Sequence, residues 1–255
     1  MSYSAEADDP GQNLCTEDDP RADMDHPLMY LYKASSDPDT LTLLEALKAP
    51  DAIRFKEAMV SEVNEHNKRH HWKPVLKTSL PDNTIILPAV WAMRRKRRID
   101  SREVYKWKSR LNLGGHKMVK GIHYHETYSP VVAWQNIRLF LILTALNKWH
   151  TTQIDFVMAY TQAPMDKPVY MHLPPGVNLS GLDRSKHCLQ VLKNIYGGND
   201  SGRIWFHHLR HHLVNVIGYT QSTYDECVFY YKTTIFVVYT DDGILFDPSE
   251  LTIQN

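Results

Sequence analysis

The stretch Thr233–Phe246, reading Thr-Thr-Ile-Phe-Val-Val-Tyr-Thr-Asp-Asp-Gly-Ile-Leu-Phe, constrains this chain more than any other. β-Branched and aromatic residues lead into Asp-Asp-Gly and then three apolar residues, which predicts a β-hairpin whose tight turn carries the carboxylates. Adjacent Asp side chains between apolar strands repel each other and resist desolvation. A divalent cation would neutralise them, although Asp-Gly is also a common hairpin turn and an exposed pair needs no metal. A third carboxylate narrows the choice. Asp155, in Gln153-Ile154-Asp155-Phe156, ends a second predicted strand and could converge with Asp241 and Asp242. Three carboxylates can hold two Mg²⁺ ions about 3.5–4 Å apart, an arrangement that stabilises attacking and leaving oxygens in phosphoryl transfer.

Charge is divided along the chain. The 255 residues have a formal net charge of zero, yet residues 1–50 hold 11 Asp or Glu against 3 Lys or Arg, leaving 18 acidic and 26 basic residues for 51–255. A basic body favours a polyanionic partner through counterion release, though a modest excess is also common in proteins that bind no nucleic acid. Hydrophobic residues, at 43%, suffice for a sizeable core. No run reaches the roughly 18 apolar residues of a membrane helix and no signal-peptide pattern opens the chain, which predicts an intracellular protein without a membrane partner. Cys15, Cys188 and Cys227 are widely scattered, indicating neither a disulfide framework nor a Cys-based zinc site.

The segment to about Asp37 is acidic and aperiodic and reads as a tether, followed by a short helix through Leu47. Phe55, Met59 and Val63 recur at i, i+4 and i+8, predicting a helix over Ala52–Arg69 with Asp51 as N-cap. The period then falls to two, with Ile85 and Leu87, then Val90 and Ala92. Arg94-Arg95-Lys96-Arg97-Arg98 reads as a solvated face, a nuclear-import patch or a nucleic-acid contact. Lys106, Lys108 and Arg110 alternate on one strand face, with Tyr105, Trp107 and Leu111 expected inward. Ile137–Leu146 is apolar on nearly every side and predicts a buried helix. Trp205, Leu209, Leu213 and Val216 form a helical stripe that begins near Asp200 or Ser201 and ends at Gly218. His207 with His211, and His208 with His212, have zinc-compatible spacing but no third ligand, so they read as surface residues.

Tyr239-Thr240-Asp241-Asp242 resembles the Tyr-x-Asp-Asp box of reverse transcriptases, and further words resemble those of Ty1/copia-type retrotransposon polymerases. They are Tyr105-Lys106-Trp107-Lys108-Ser109-Arg110-Leu111, Glu126-Thr127-Tyr128-Ser129-Pro130-Val131-Val132, Gln153-Ile154-Asp155-Phe156, Val169-Tyr170-Met171 with Pro174-Pro175-Gly176, Lys193-Asn194-Ile195-Tyr196-Gly197, and Asp225-Glu226-Cys227-Val228-Phe229. Each is weak alone; their shared order and spacing from about Asp51 onward is specific.

The resemblance implies an α+β right-hand polymerase, its antiparallel palm sheet packed on helices. It places an acidic, largely disordered linker over 1–50, fingers over about 51–147 and 164–204, palm over about 148–163 and 205–255, and the chain's end before the thumb. It makes Asp155, Asp241 and Asp242 the catalytic carboxylates, with the Phe156 carbonyl as a further ligand to two Mg²⁺ ions, or Mn²⁺. Lys108 and Arg110 match the positions that close on the nucleotide triphosphate, and Tyr160 matches the aromatic gate against the ribose 2′-hydroxyl. Arg94, Arg95, Lys96, Arg97, Arg98 and Tyr239 are the expected nucleic-acid contacts. Implied partners are an RNA or DNA template-primer, deoxynucleotides and the rest of a Gag-Pol polyprotein with integrase and RNase H, in a cytoplasmic virus-like particle with a nuclear phase.

Two departures from the family pattern stand out. Gly198-Asn199-Asp200 replaces a word that normally carries a Gln near the template base, and an Asp near a triphosphate adds unfavourable charge. Met118 occupies a commonly polar position. Two other readings therefore stay open: a decayed remnant that binds nucleic acid without polymerising, and a scaffolding subunit.

Overall fold

A computed structural model describes residues 37–179 and 181–249. The tether expected before residue 37 lies outside them. The described residues divide into two compact units, 37–114 with 170–190, and 115–169 with 191–249.

The first unit begins with β1 (Thr40–Leu41) and α1 (Leu43–Lys48). A reciprocal capping box starts that helix: the Thr42 hydroxyl accepts from the Glu45 N–H while the Glu45 carboxylate accepts from the Thr42 N–H. Residues 40–48 are thus structured, and the expected linker boundary at residue 50 falls inside the fold. α2 (Ala52–Lys68) buries Phe55, Met59 and Val63 as the periodicity requires. Asp51 does precede it, but its side chain caps nothing. Its carboxylate instead accepts two bonds from Arg95, at 2.6 and 2.7 Å, and one from the Trp107 indole.

β2 (Trp72–Leu76) and β3 (Ile86–Leu87) precede the long hairpin of β4 (Ala89–Arg97) and β5 (Val104–Leu113), which joins β1 in an antiparallel sheet ordered β1-β4-β5. Leu87, Ala89, Trp91 and Met93 are buried, so the inward set lies on odd positions; Val90 is half-buried and Ala92 exposed, opposite to the expected phase. On β5, Ser109, Leu111 and Leu113 point inward, whereas Tyr105 is exposed beneath the Arg98 guanidinium.

The second unit contains α3 (Trp134–Asn147), β6 (His150–Asp155) and α4 (Ala159–Gln162). β7 (Pro164–Met171) and β8 (His187–Lys193) form a sheet ordered β2-β8-β7-β3, in which β3 and β7 run parallel, and the boundaries between units fall within these two strands. α5 (Ser201–His211) follows, then β9 (Thr220–Gln221), β10 (Val228–Tyr231), β11 (Thr234–Tyr239) and β12 (Asp242–Asp247). These strands and β6 make a five-stranded antiparallel sheet ordered β6-β12-β11-β10-β9. Its core gathers Phe140, Trp205, Phe206, Leu209, Phe229, Phe236 and Phe246.

Two helical expectations change here. α3 is not enclosed: Phe140 is buried, with Ile137 and Leu143 packed partly beside it, but Leu139, Leu141, Ile142 and Leu146 are 48–74% exposed. A helix apolar all round still covers only the stripe its neighbours reach. On α5, Trp205, Leu209 and Leu213 are buried but Val216 is 68% exposed. The helix passes into a π-helical turn over His212–Ile217, whose i→i+5 pairing shifts the stripe out of phase before Gly218 closes it at φ 95°.

Candidate active site

The hairpin forms where expected, but its turn is displaced by a residue. Tyr239 pairs with Asp242, so Thr240 and Asp241 form the two-residue loop and Asp242-Gly243 already belongs to β12. Thr240 takes the positive φ, 59°, that a tight loop demands. Its carbonyl accepts a 2.8 Å bond from the Trp205 indole N–H, tying the loop to α5. Gly243 serves packing: a Cβ there would sit 2.5 and 2.7 Å from two Phe236 ring carbons. At the hairpin's base, buried Asp247 accepts from the Thr233 and Thr234 hydroxyls at 3.0 and 2.6 Å.

The register brings the third carboxylate in. β12 lies against β6 with Asp242 opposite Asp155 and Gly243 opposite Ile154. The Phe156 N–H donates to the Asp241 carbonyl at 3.3 Å, outside that pair, which makes Asp155 and Asp242 a non-hydrogen-bonded pair. Such pairs bring side chains closest, and like charges so placed oppose strand pairing. Asp155 and Asp242 share one sheet face; Ile154, Phe236 and Leu245 share the other. Tyr239, half-exposed and of the carboxylates' parity, has its ring 6.1 Å from that of Trp134 on α3.

Hard carboxylate oxygens suit Mg²⁺, which typically takes one or two carboxylates and completes its shell with water and substrate phosphates. Asp155 and Asp242, facing each other across the register, with Asp241 next in the loop, are the carboxylates that could hold such an ion. Among the described residues no three His, Cys, Asp or Glu side chains lie close enough to hold an ion by themselves.

Tyr160 lies on α4 with its ring centroid 4.4 Å from that of Tyr196, both half-buried. Asp200 precedes α5 as a buried carboxyl, and burial pushes its pKa up. Met118 is buried too, its sulfur accepting the Asn199 N–H at 3.3 Å. His212 Nδ1 lies 2.9 Å from the His208 carbonyl oxygen.

Lys108 and Arg110 belong to the first unit. Across the hairpin Arg94 stands opposite Lys108, Lys96 opposite Lys106 and Ala92 opposite Arg110. The five-residue run therefore splits by parity. Arg94 and Lys96 join Lys106, Lys108 and Arg110 on one basic face, and partial burial and the neighbouring Arg110 and Lys96 charges lower the Lys108 pKa. Arg95 and Arg97 turn to the other face, where Asp51 and Asp39 hold them.

Several residues with a positioning role carry no chemical signature in sequence. Trp205 reads as one more stripe residue until its indole is seen on the loop carbonyl. Asp225 accepts from Ala133 N, Asn136 Nδ2 and Cys227 N, fixing the start of α3 to the loop that leads into β10. Arg184 donates to the carbonyls of Leu173, Pro174 and Val177, holding the Pro-Pro-Gly turn.

Residues 72–255 match the family model described as reverse transcriptase (RNA-dependent DNA polymerase). The chain is 30% identical over 216 residues to the retrovirus-related Pol polyprotein from transposon RE1 of Arabidopsis thaliana, covering 83% of this chain and 14% of that protein. Identity is 28% over 217 residues to the Pol polyprotein from transposon TNT 1-94 of Nicotiana tabacum, covering 83% and 16%. With the transposon Ty1-H Gag-Pol polyprotein of Saccharomyces cerevisiae it is 24% over 229 residues, covering 80% and 12%. The chain thus spans about one-seventh of the length of such relatives.

Proposed function

The chain belongs to the reverse transcriptase (RNA-dependent DNA polymerase) family, and from that premise we propose that Asp155, Asp241 and Asp242 are the metal-binding carboxylates of a copia-type polymerase extending a primer 3′-hydroxyl. The observation that carries this reading is the register that sets Asp155 against Asp242 and leaves Asp241 in the adjoining loop. Two acids facing each other on paired strands serve no packing purpose and oppose pairing. A pair of bound Mg²⁺ ions would offset that repulsion and stabilise charge on the transferred phosphoryl group.

In this reading residues of about 148–163 and 205–255 make the palm of a right-hand polymerase and the β4–β5 hairpin belongs to the fingers. Lys108 and Arg110 hold the triphosphate, Tyr160 excludes the 2′-hydroxyl, and the Arg94–Lys96 face and Tyr239 touch template-primer. The Phe156 carbonyl is available as a further metal ligand. The chain acts as a segment of a Gag-Pol-type polyprotein, beside integrase and RNase H.

Primer extension on poly(rA)/oligo(dT) with Mg²⁺ or Mn²⁺ tests the assignment. Incorporation is expected from the chain, or from a version extended at its C-terminus, and is abolished by Asp241→Asn. Incorporation that survives that substitution sinks the carboxylate assignment. Salt-sensitive nucleic-acid binding with no incorporation from either version favours the binding-only alternative, for which the basic face suffices.

A further inference from the structure

Behind the carboxylates, on the opposite face of the five-stranded sheet, the second unit is incompletely filled. Ile154, Phe236 and Leu245 form one wall and Trp205, Leu209 and Leu213 the other, and between them lies a cavity of about 400 Å³. Protein cores pack near crystal density with few voids larger than a water molecule, whereas cavities of this size are typical of small-molecule sites. The π-helical turn at His212–Ile217 contributes to the same wall, and π turns concentrate at functional positions because they cost regular hydrogen bonding.

The lining defines the ligand. No Asp, Glu, Lys or Arg lines the cavity, and its aromatic walls include Phe156, Trp205, Tyr219 and Phe236. Its polar side-chain groups are those of Gln162, His208 and His212 and the Tyr219 hydroxyl, with Gln162 and His212 exposed. Partial burial, with the neighbouring His212, Lys193 and His211, lowers the His208 pKa and favours its neutral form. A charged ligand would lose its hydration without meeting an opposite charge, while a flat aromatic one replaces missing contacts on several sides.

We propose that this cavity is a binding site for a small, uncharged aromatic molecule, lodged behind the Thr240–Asp241 loop. Two of its wall residues also build that loop's support: Trp205 donates its indole N–H to the Thr240 carbonyl, and the Phe156 N–H bonds the Asp241 carbonyl. An occupant touching both rings reports on, and acts upon, the position of the carboxylates. Binding stands independently of the polymerase reading; only an effect on nucleotide incorporation rests on it.

The test is fluorescence titration of the full chain with phenylnaphthylamine, a neutral aromatic probe, beside its sulfonated anionic analogue. Saturable one-to-one binding of the neutral probe is expected, at least tenfold tighter than the anion. The Trp205 indole N–H resonance, assigned with Trp205→Phe, should shift on saturation. Leu209→Phe should weaken binding at least tenfold by filling the cavity. Because that substitution could perturb the core, Ile217→Trp is its companion: Ile217 is 52% exposed at the rim, so a larger ring there closes the mouth without repacking. Unsaturable binding, equal affinity for the anion, undiminished affinity in Ile217→Trp, or an unmoved indole resonance would each overturn the proposal. None of these readouts requires polymerase activity, so failure of the site and failure of the functional reading remain distinguishable.

Discussion

Gly243 follows the two acids of the hairpin, and its value lies in what it leaves out. With the Phe236 ring occupying the space of a Cβ, Gly243→Ala forces ring or strand to move and should cost about 1–3 kcal/mol, measurable by urea denaturation. Asp51 is the counterpart in the first unit. The Arg95 guanidinium holds its carboxyl well below the usual carboxylate range, opposed by partial burial and helped by the Trp107 indole. A depressed pKa means stabilisation that is complete above the unfolded value of about 3.9 and fades as pH falls toward the lower folded value. Asp51→Asn should therefore destabilise by about 2 kcal/mol at pH 7 and flatten the decline in stability below pH 4, as read from urea midpoints across pH. Sequence marked Asp51 as important but for the wrong contact. An N-cap is a local expectation, whereas Arg95 and Trp107 reach it from strands 44 and 56 residues away.

Among the elements, the β4–β5 hairpin separates charge that sequence presents as one block. Strand alternation sends Arg94 and Lys96 to the face of Lys106, Lys108 and Arg110, and Arg95 and Arg97 to partners Asp51 and Asp39. The two sets should behave differently. Arg94→Ala with Lys96→Ala should weaken nucleic-acid binding and lower the slope of log affinity against log salt by about 2 while leaving the melting temperature nearly unchanged. Arg95→Ala should lower the melting temperature instead, because Asp51 is left half-buried without its cation. α3 shows the opposite failure of legibility. Its composition reported hydrophobicity correctly but could not report which neighbours cover it, and so its outer face stands exposed.

At the scale of the whole molecule, neither unit is a continuous segment, and that limits where the chain can be cut. The first unit needs residues 170–190: the buried Trp91 indole donates to the Pro175 carbonyl at 2.8 Å, and Arg184 gathers three more carbonyls of that turn. A fragment of residues 37–114 loses the Met171 strand that pairs with Leu87 and the Pro175 carbonyl that holds Trp91. It should show no cooperative unfolding transition by circular dichroism, whereas residues 37–249 should. The boundaries expected from resemblance, at about 147/148, 163/164 and 204/205, are those of polymerase subdomains, whereas the two compact units divide at 114/115, 169/170 and 190/191. A run of sequence words orders the chain, but compactness depends on which segments return to a sheet.

The sequence alone determined the hairpin, its acids and the strand of Asp155, because alternation, turn chemistry and carboxylate repulsion are local properties written in neighbouring residues. It also determined the family, since ordered words survive where each one would not suffice. Only the tertiary structure decided that Asp155 faces Asp242, that the loop begins at Thr240 under the Trp205 indole, and that the five-residue basic run divides between two faces. Register, pairing and burial are set by segments distant in the chain, and a single strand or helix carries no record of the partner that completes it.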